Sequence, residues 1–241
     1  MLKETSHRPF LPPKGPWIMK QVWNDLLFAH WKVNAAQLED KLPEGMVLDT
    51  WREEAYVGVV PFAMDHVRGR WIPPIPFASS LLELNVRTYV TYKGVPGVYF
   101  FSLDANHRLA VQTARRFFHL PYYFSKISIR REGKGVFFSS ERQSDSVGTF
   151  SASYEPVGTP FVSAPDSLEY WLTERYCLFT SHKEKIYRGD IHHLPWNLQK
   201  ADATFIDNRV ALTHSIYLPD HDPILHYSTN QEVIFWKLTP F

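Results

Sequence analysis

Strand-forming runs follow one another along this chain without helices alternating between them. That order argues against a doubly wound α/β fold. The clearest run, residues 81–92, reads LLELNVRTYVTY and is rich in β-branched and aromatic side chains. Gly94–Gly97 turns it back into a strand over 98–103. Further strands are expected over 21–31, 122–131, 135–142, 148–155, 176–180, 185–192 and 196–206. Residues 46–51 and 55–64 read as a hairpin about Arg52–Glu54. Helices are few and short. One is expected over 35–42, with Asn34 as cap and Gln37 completing a capping box. A second spans 107–118, capped by Asn106, with Ala110, Ala114, Phe117 and Phe118 on its apolar face. A third covers 167–175. Residues 68–80 are a proline-rich loop. The expected fold is α+β and mostly β, an antiparallel sheet closed wholly or partly into a barrel, with short peripheral helices. Residues 1–16 form an extended, proline-rich lead-in, and 17–241 one domain.

The chain of 241 residues is 44% hydrophobic and 15% aromatic, enough for a sizeable core and unlike a disordered segment. Its 26 basic and 25 acidic residues leave no positive excess to hold a phosphate backbone, so nucleic acid is not an expected partner. No apolar run is long enough to cross a membrane as a helix, and no signal peptide is evident. With the single cysteine, Cys177, in an apolar stretch, a reducing, cytoplasmic setting is the expectation. Cys177 itself reads as an inert buried thiol. The oligomeric state is not legible.

Three segments could carry chemistry. Along residues 81–92 the side chains alternate between faces. Leu82, Leu84, Val86, Thr88 and Val90 form an apolar face, and Glu83, Asn85, Arg87 and Tyr89 a polar one. The polar row is either an ordinary solvated surface or the lining of a pocket in which Glu83 and Arg87 orient a small ligand. The segment Arg115–Tyr123, RRFFHLPYY, runs from a helix end into a strand. There Arg115, His119, Tyr122 and Tyr123 are candidate ligand contacts, although a tyrosine pair is equally at home in a core. The 11 histidines include His192, His193, His214, His221 and His226, but no HExxH or HxH spacing, so no metal site is expected. Glycine-rich phosphate loops, dinucleotide fingerprints and nucleophile elbows are absent, and no cofactor is implied. Asp104 reads as a turn or capping residue.

LELNVRTYV at 82–90, GVYFFSLDA at 97–105 and RFFHLPYY at 116–123 resemble the YqjF-like family, also called DUF2071. FAHWKV at 28–33, LPEGMVLD at 42–49, AYVGVVPFAM at 55–64, TERYCLFT at 173–180 and HHLPWNLQKA at 192–201 extend the resemblance over roughly 20–200. It implies no activity. The family is distantly similar to acetoacetate decarboxylase, which implies a cone-shaped β-barrel with helices outside and a pocket. In the decarboxylase pattern an Arg-Glu pair precedes Pro-Lys-Lys. Arg115 and Pro121 match it, Arg116 replaces the glutamate, and Tyr122 and Tyr123 stand in place of the two lysines. Glu83 corresponds to a carboxylate beside the decarboxylase pocket. The first of those lysines forms a Schiff base, which a phenol cannot do. Lys126 would lie about 13 Å along the strand from Tyr122.

Three functions fit. The first is a binding protein for a small organic acid, with Arg87 or Arg115 holding its anionic group. The second is a lyase or isomerase acting on an oxo or hydroxy acid, with Glu83 as acid or base and Tyr122 or Tyr123 as catalytic partner. The third is an interaction scaffold, for which the eight tryptophans offer surface. Burial of the Glu83–Tyr89 row is the observation that separates the first two from the third.

Overall fold

A long first strand, β1 (Met19–Val33), runs through the middle of a 13-stranded sheet. In this computed structural model residues 1–71 and 80–241 are described. The central part of the loop expected at 68–80 therefore lies outside the described residues. The remaining strands are β2 (Val47–Leu48), β3 (Ala55–Gly69), β4 (Ser80–Tyr92), β5 (Val95–Ala105), β6 (Tyr122–Glu132), β7 (Gly135–Arg142) and β8 (Thr149–Phe161). They continue with β9 (Cys177–His182), β10 (Lys185–His192), β11 (Leu198–Asn208), β12 (Ile224–Phe235) and β13 (Thr239–Pro240). Three α-helices interrupt them, α1 (Ala36–Glu39), α2 (Arg108–Phe118) and α3 (Leu168–Thr173). No described helix is long and apolar enough to cross a membrane.

The sheet closes on itself. Hydrogen bonding runs β5-β6-β7-β8-β11-β12-β1-β3-β4 and returns to β5. Two strands fork. β5 pairs through Val98 and Tyr99 with β9 and through Leu103–Ala105 with β6, both in parallel. β12 pairs through His226 and Tyr227 with β11, and through Ile234 and Phe235 with β10. The sheet is therefore mixed, where an antiparallel one was expected. The strands β12-β1-β3-β4-β5 form a wall shared by both branches.

Both faces of that wall are covered. Leu27, Ala29 and Trp31 of β1, Val57 and Val59 of β3, and Leu82, Leu84 and Val86 of β4 meet Phe138, Phe150 and Ala152 of β7 and β8 in the main core. On the opposite face Leu26, Phe28, Val60 and Phe62 meet Trp196 and Leu198, while Tyr56 and Tyr89 meet Leu172 of α3. A strand buried on both sides needs no hydrophobic alternation, which is why β3 reads as a nearly continuous apolar run. The β4–β5 turn is tight because Lys93 (φ 49°) and Gly94 (φ 77°) both adopt the left-handed conformation of a type I′ hairpin.

Several local expectations are corrected. β2 pairs with β4, and among the described residues only an isolated Trp51–Glu54 bridge closes the turn ahead of β3, where a 46–64 hairpin was expected. Asn34 accepts a hydrogen bond from the Ala36 N–H, but Gln37 accepts one from Tyr217 N–H and takes no part in a capping box. His107, not Asn106, caps α2, and Asn106 accepts from Leu82 N–H. The buried residue of α2 is Val111, while Phe117 is exposed. The lead-in lies against the sheet, with Arg8 buried and donating to the Ile191 carbonyl. Cys177 is a free, buried thiol that donates to the Pro96 carbonyl, and burial lifts its pKa to about 12.

Candidate functional site

Glu83, Asn85 and Tyr89 are buried on the wall face that turns away from the main core, and Arg87 is partly exposed beside them. The row is largely withdrawn from bulk solvent because the Trp196 segment and α3 pack on this face. The β5 and β6 registers bring a fifth residue to it. Asn85 lies opposite Leu103, and Leu103 opposite Tyr122, and paired residues share a face.

Tyr122 donates its hydroxyl proton to Glu83 Oε2 at 2.7 Å, and Asn85 Nδ2 lies 3.5 Å from Glu83 Oε1. Burial dominates at Glu83 and raises its pKa to about 7, against the lowering effect of those two hydrogen bonds. Burial together with the adjacent carboxylate holds the Tyr122 phenol well above its usual pKa, so it remains a donor.

Sequence reasoning missed His30. It sits on β1 opposite Gly58 of β3, and Gly58 sits opposite Arg87 of β4, so the three form one row across the wall. Tyr89 donates to the Leu172 carbonyl at 2.8 Å. Its oxygen also lies 2.6 Å from His30 Nε2, and having used its one proton it accepts there. His30 therefore carries its proton on Nε2 and presents Nδ1 as a bare acceptor. Burial, reinforced by Arg87, pushes the His30 pKa well down and keeps the ring neutral. Gly58 was the available signal, since a glycine inside an apolar strand marks a close approach. A Cβ there would meet His30 Cδ2 at 3.1 Å and Arg87 Cγ at 3.4 Å.

The cluster contains buried polar atoms with no hydrogen-bond partner among the described residues. They are Arg87 Nε and Nη2, Asn85 Oδ1, His30 Nδ1 and His226 Nδ1. The Arg87 guanidinium stands over the Phe28 ring at 5.2 Å. His226 lies opposite Phe28 on β12 and extends the same face.

The other expected contacts are elsewhere. Arg115 is exposed on α2. His119 ends α2 in a left-handed conformation and stacks on His182 at 4.1 Å, facing β9. Tyr123 alternates to the opposite face from Tyr122, where the Arg142 guanidinium lies over its ring at 3.9 Å. Lys126 is exposed. Asp104, expected at a turn, is a buried strand residue held by Arg142 at 2.7 and 2.8 Å and by Ser125 at 2.6 Å. Two open depressions lie away from the cluster, one of about 300 Å³ beside Asp25 and Arg131 and one of about 390 Å³ beside Arg8 and Glu174. Among the described residues no three His, Cys, Asp or Glu side chains converge as metal ligands.

Solved structures share this architecture. Acetoacetate decarboxylase from Legionella pneumophila superposes with a TM-score of 0.67 at 14% identity, covering 100% of this chain and 94% of that one. The enduracididine biosynthesis enzyme MppR, solved in complex with pyruvate, gives 0.64 at 11% identity over 96% and 93%. At these identities the likeness shows the fold alone. YqjF of Bacillus subtilis (strain 168) is 50% identical over 226 residues, 94% of this chain and 93% of that protein. The DUF2071 family, described as an uncharacterized conserved protein, matches residues 20–232. With that match and that relative, the chain belongs to the DUF2071 family.

Proposed function

We propose that the protein binds a small organic acid on the Glu83–Arg87 face, with Arg87 holding its carboxylate. The observation that carries this reading is the Arg87 guanidinium. Two of its nitrogens are buried without a hydrogen-bond partner among the described residues. Burying a cation's donors unpaired is costly, and a planar fork of N–H groups matches a carboxylate. MppR, on the same fold, is seen with pyruvate, a small carboxylic acid.

A second reading adds chemistry. Glu83, with its pKa near 7 and Tyr122 bonded to it, is poised to give or take a proton near neutral pH. A lyase or isomerase step would use that pair. A Schiff base is not part of either reading, because tyrosine occupies position 122.

The test is thermal unfolding across a panel of short carboxylic acids. An acid at a hundred times its dissociation constant stabilises the native state by about 2.7 kcal/mol. Stabilisation by at least one acid, lost in Arg87→Gln, supports binding at this face. No shift with any acid, or a shift retained in Arg87→Gln, refutes it.

A further inference from the structure

We propose that residues 1–9 are a pH-sensitive strap, latched to the end of β10 by a hydrogen bond from Arg8 to unprotonated His192 and released when that histidine takes up a proton. This inference goes beyond the acid site and does not depend on it.

The contacts of Arg8 fix the protonation state of the latch. Its Nη1 lies 2.6 Å from the Ile191 carbonyl and 3.2 Å from His192 Nδ1. A guanidinium only donates, so Nδ1 accepts and carries no proton. The ring proton is therefore on Nε2, which donates to the Met1 carbonyl at 3.2 Å. A proton on Nδ1 would set one N–H against another and place a second cation beside Arg8. The His192 ring is buried, so water does not readily screen that clash. Burial lowers the His192 pKa from 6.5, the Met1 carbonyl opposes the shift, and the Arg8 cation reinforces it.

The groups around the latch favour the same response. His7 stacks on His192 at 5.5 Å and donates Nε2–H to the His193 carbonyl at 3.0 Å, while its own carbonyl accepts from the Tyr170 hydroxyl at 2.8 Å. The Met1 amino group also faces His192, and His193 beside it is held neutral by burial. On the sheet side the Arg8 guanidinium lies over the Tyr176 ring at 4.6 Å. It is attracted by Asp190 and repelled by Arg188, and those two are bonded to each other at 2.6 Å. Glu174 is engaged by the Tyr176 hydroxyl and the Trp196 N–H, and borders the depression of about 390 Å³ between residues 6–9 and Ser163 and Tyr170. That depression leaves one flank of the strap unpacked. Past Pro9 the chain is anchored. Phe10 packs against the Met46 and Phe179 core cluster, and the Gly15 carbonyl accepts from Trp236 at 2.7 Å. Release therefore stops before Phe10 and bares the Tyr176 ring, on which His7 and Arg8 both lie.

In the released strap His192 titrates at its ordinary value, whereas in the latch it stays neutral. The latch is whole above pH 6.5 and is lost as pH falls below it, so from pH 7.5 to pH 5.5 the released population rises about ten-fold. The experiment follows cleavage after Glu4 by a glutamate-specific protease, with the rate divided by that of the free peptide 1–16 at the same pH. A protease cleft holds several residues on either side of the cut, so the chain must be lifted through Arg8. At low protease the corrected rate tracks the released population. An increase of about ten-fold is expected in the natural protein. In His192→Gln the amide oxygen accepts from Arg8 and the NH₂ donates to Met1 without titrating, so the corrected rate should stay within about two-fold. Cleavage after Glu83, buried in β4, reports global unfolding and should not change. Equal corrected rates at both pH values, a rise retained in His192→Gln, or a rise matched by cleavage after Glu83 each overturns the strap. Nitrogen NMR of the natural protein decides should the variant fail to fold. An unprotonated His192 Nδ1 at pH 7.5 that protonates as cleavage rises supports the latch, and an Nδ1 already protonated at pH 7.5 overturns it.

Discussion

The Tyr122 hydroxyl and the Glu83 carboxylate, 2.7 Å apart, join two strands that never pair with each other. β5 lies between them and brings both side chains to one buried face, where the phenol is the donor and the carboxyl sits at the edge of ionisation near neutral pH.

That geometry predicts a pH-dependent stability. The folded pKa of Glu83 is about 7 against an ordinary 4.5, so the native state binds more protons between those values. Stability from this group is complete below pH 4.5 and is lost as pH rises towards 7, by about 3 kcal/mol in all. Glu83→Gln removes the titration. Urea unfolding at pH 4.5 and pH 8 should show the variant gaining on the natural protein by roughly that amount at the higher pH. An equal difference at both values would place the Glu83 pKa outside this window.

Gly58 sits where a side chain would reach both His30 and Arg87. In Gly58→Ala the new methyl presses on His30 and Arg87 and forces them apart, which costs about 1 to 3 kcal/mol of stability, the usual range for overpacking. Acid binding should weaken by more than ten-fold, because the methyl displaces the Arg87 side chain that holds the carboxylate. Melting and ligand titration of the purified variant check both.

How much of this was legible follows from the strands themselves. The period-two alternation of 81–92 separated Glu83, Asn85, Arg87 and Tyr89 from the apolar set, because side chains alternate on any strand. It could not say that the polar face is buried. Its cover comes from Trp196 and Leu172, more than 80 positions away. Tyr122 was legible as a junction residue, but Tyr123 was grouped with it, although neighbours on one strand point to opposite faces. His30 was hidden by company. It stands between Phe28 and Trp31 in a run that reads as core, and its role depends on the register of β1 against β3. That register shifts between Asn24 and Ala29, where Asp25 adopts a positive φ of 49°. Asp104 was read as a turn because α2 follows closely, yet β5 continues through it to Ala105.

Asp104 and Arg142 form a fully buried, doubly hydrogen-bonded pair behind the site, on the main-core side of the wall. Removing one partner strands a charge in the core. Asp104→Ala or Arg142→Ala should each cost about 3 to 5 kcal/mol, whereas the apolar double variant Asp104→Leu/Arg142→Met should lose less than the sum of the two singles. Denaturant unfolding of all three variants measures the coupling. Additive losses would mean that the pair does not act as a unit.

His193 gives the acid limb of stability, with a sign opposite to that of Glu83. The ring is buried, stacked on Tyr176 at 4.6 Å, and donates Nδ1–H to the Leu194 carbonyl at 2.8 Å. Burial drives its pKa from 6.5 to about 3, outweighing the carbonyls that favour the cation. The unfolded chain therefore binds the extra proton between those values. Stability from this group is intact above pH 6.5 and falls as pH drops towards 3, by on the order of 5 kcal/mol. The two windows overlap between pH 4.5 and 6.5 with opposite signs, and only below pH 4.5 does His193 act without Glu83. The His193 ring should show no titration by NMR between pH 8 and pH 5, and the fall in melting temperature from pH 6 to pH 4 should be shallower in His193→Phe. A ring that protonates near pH 6 in the folded protein would mean that the cover formed by the 193–196 segment opens to water.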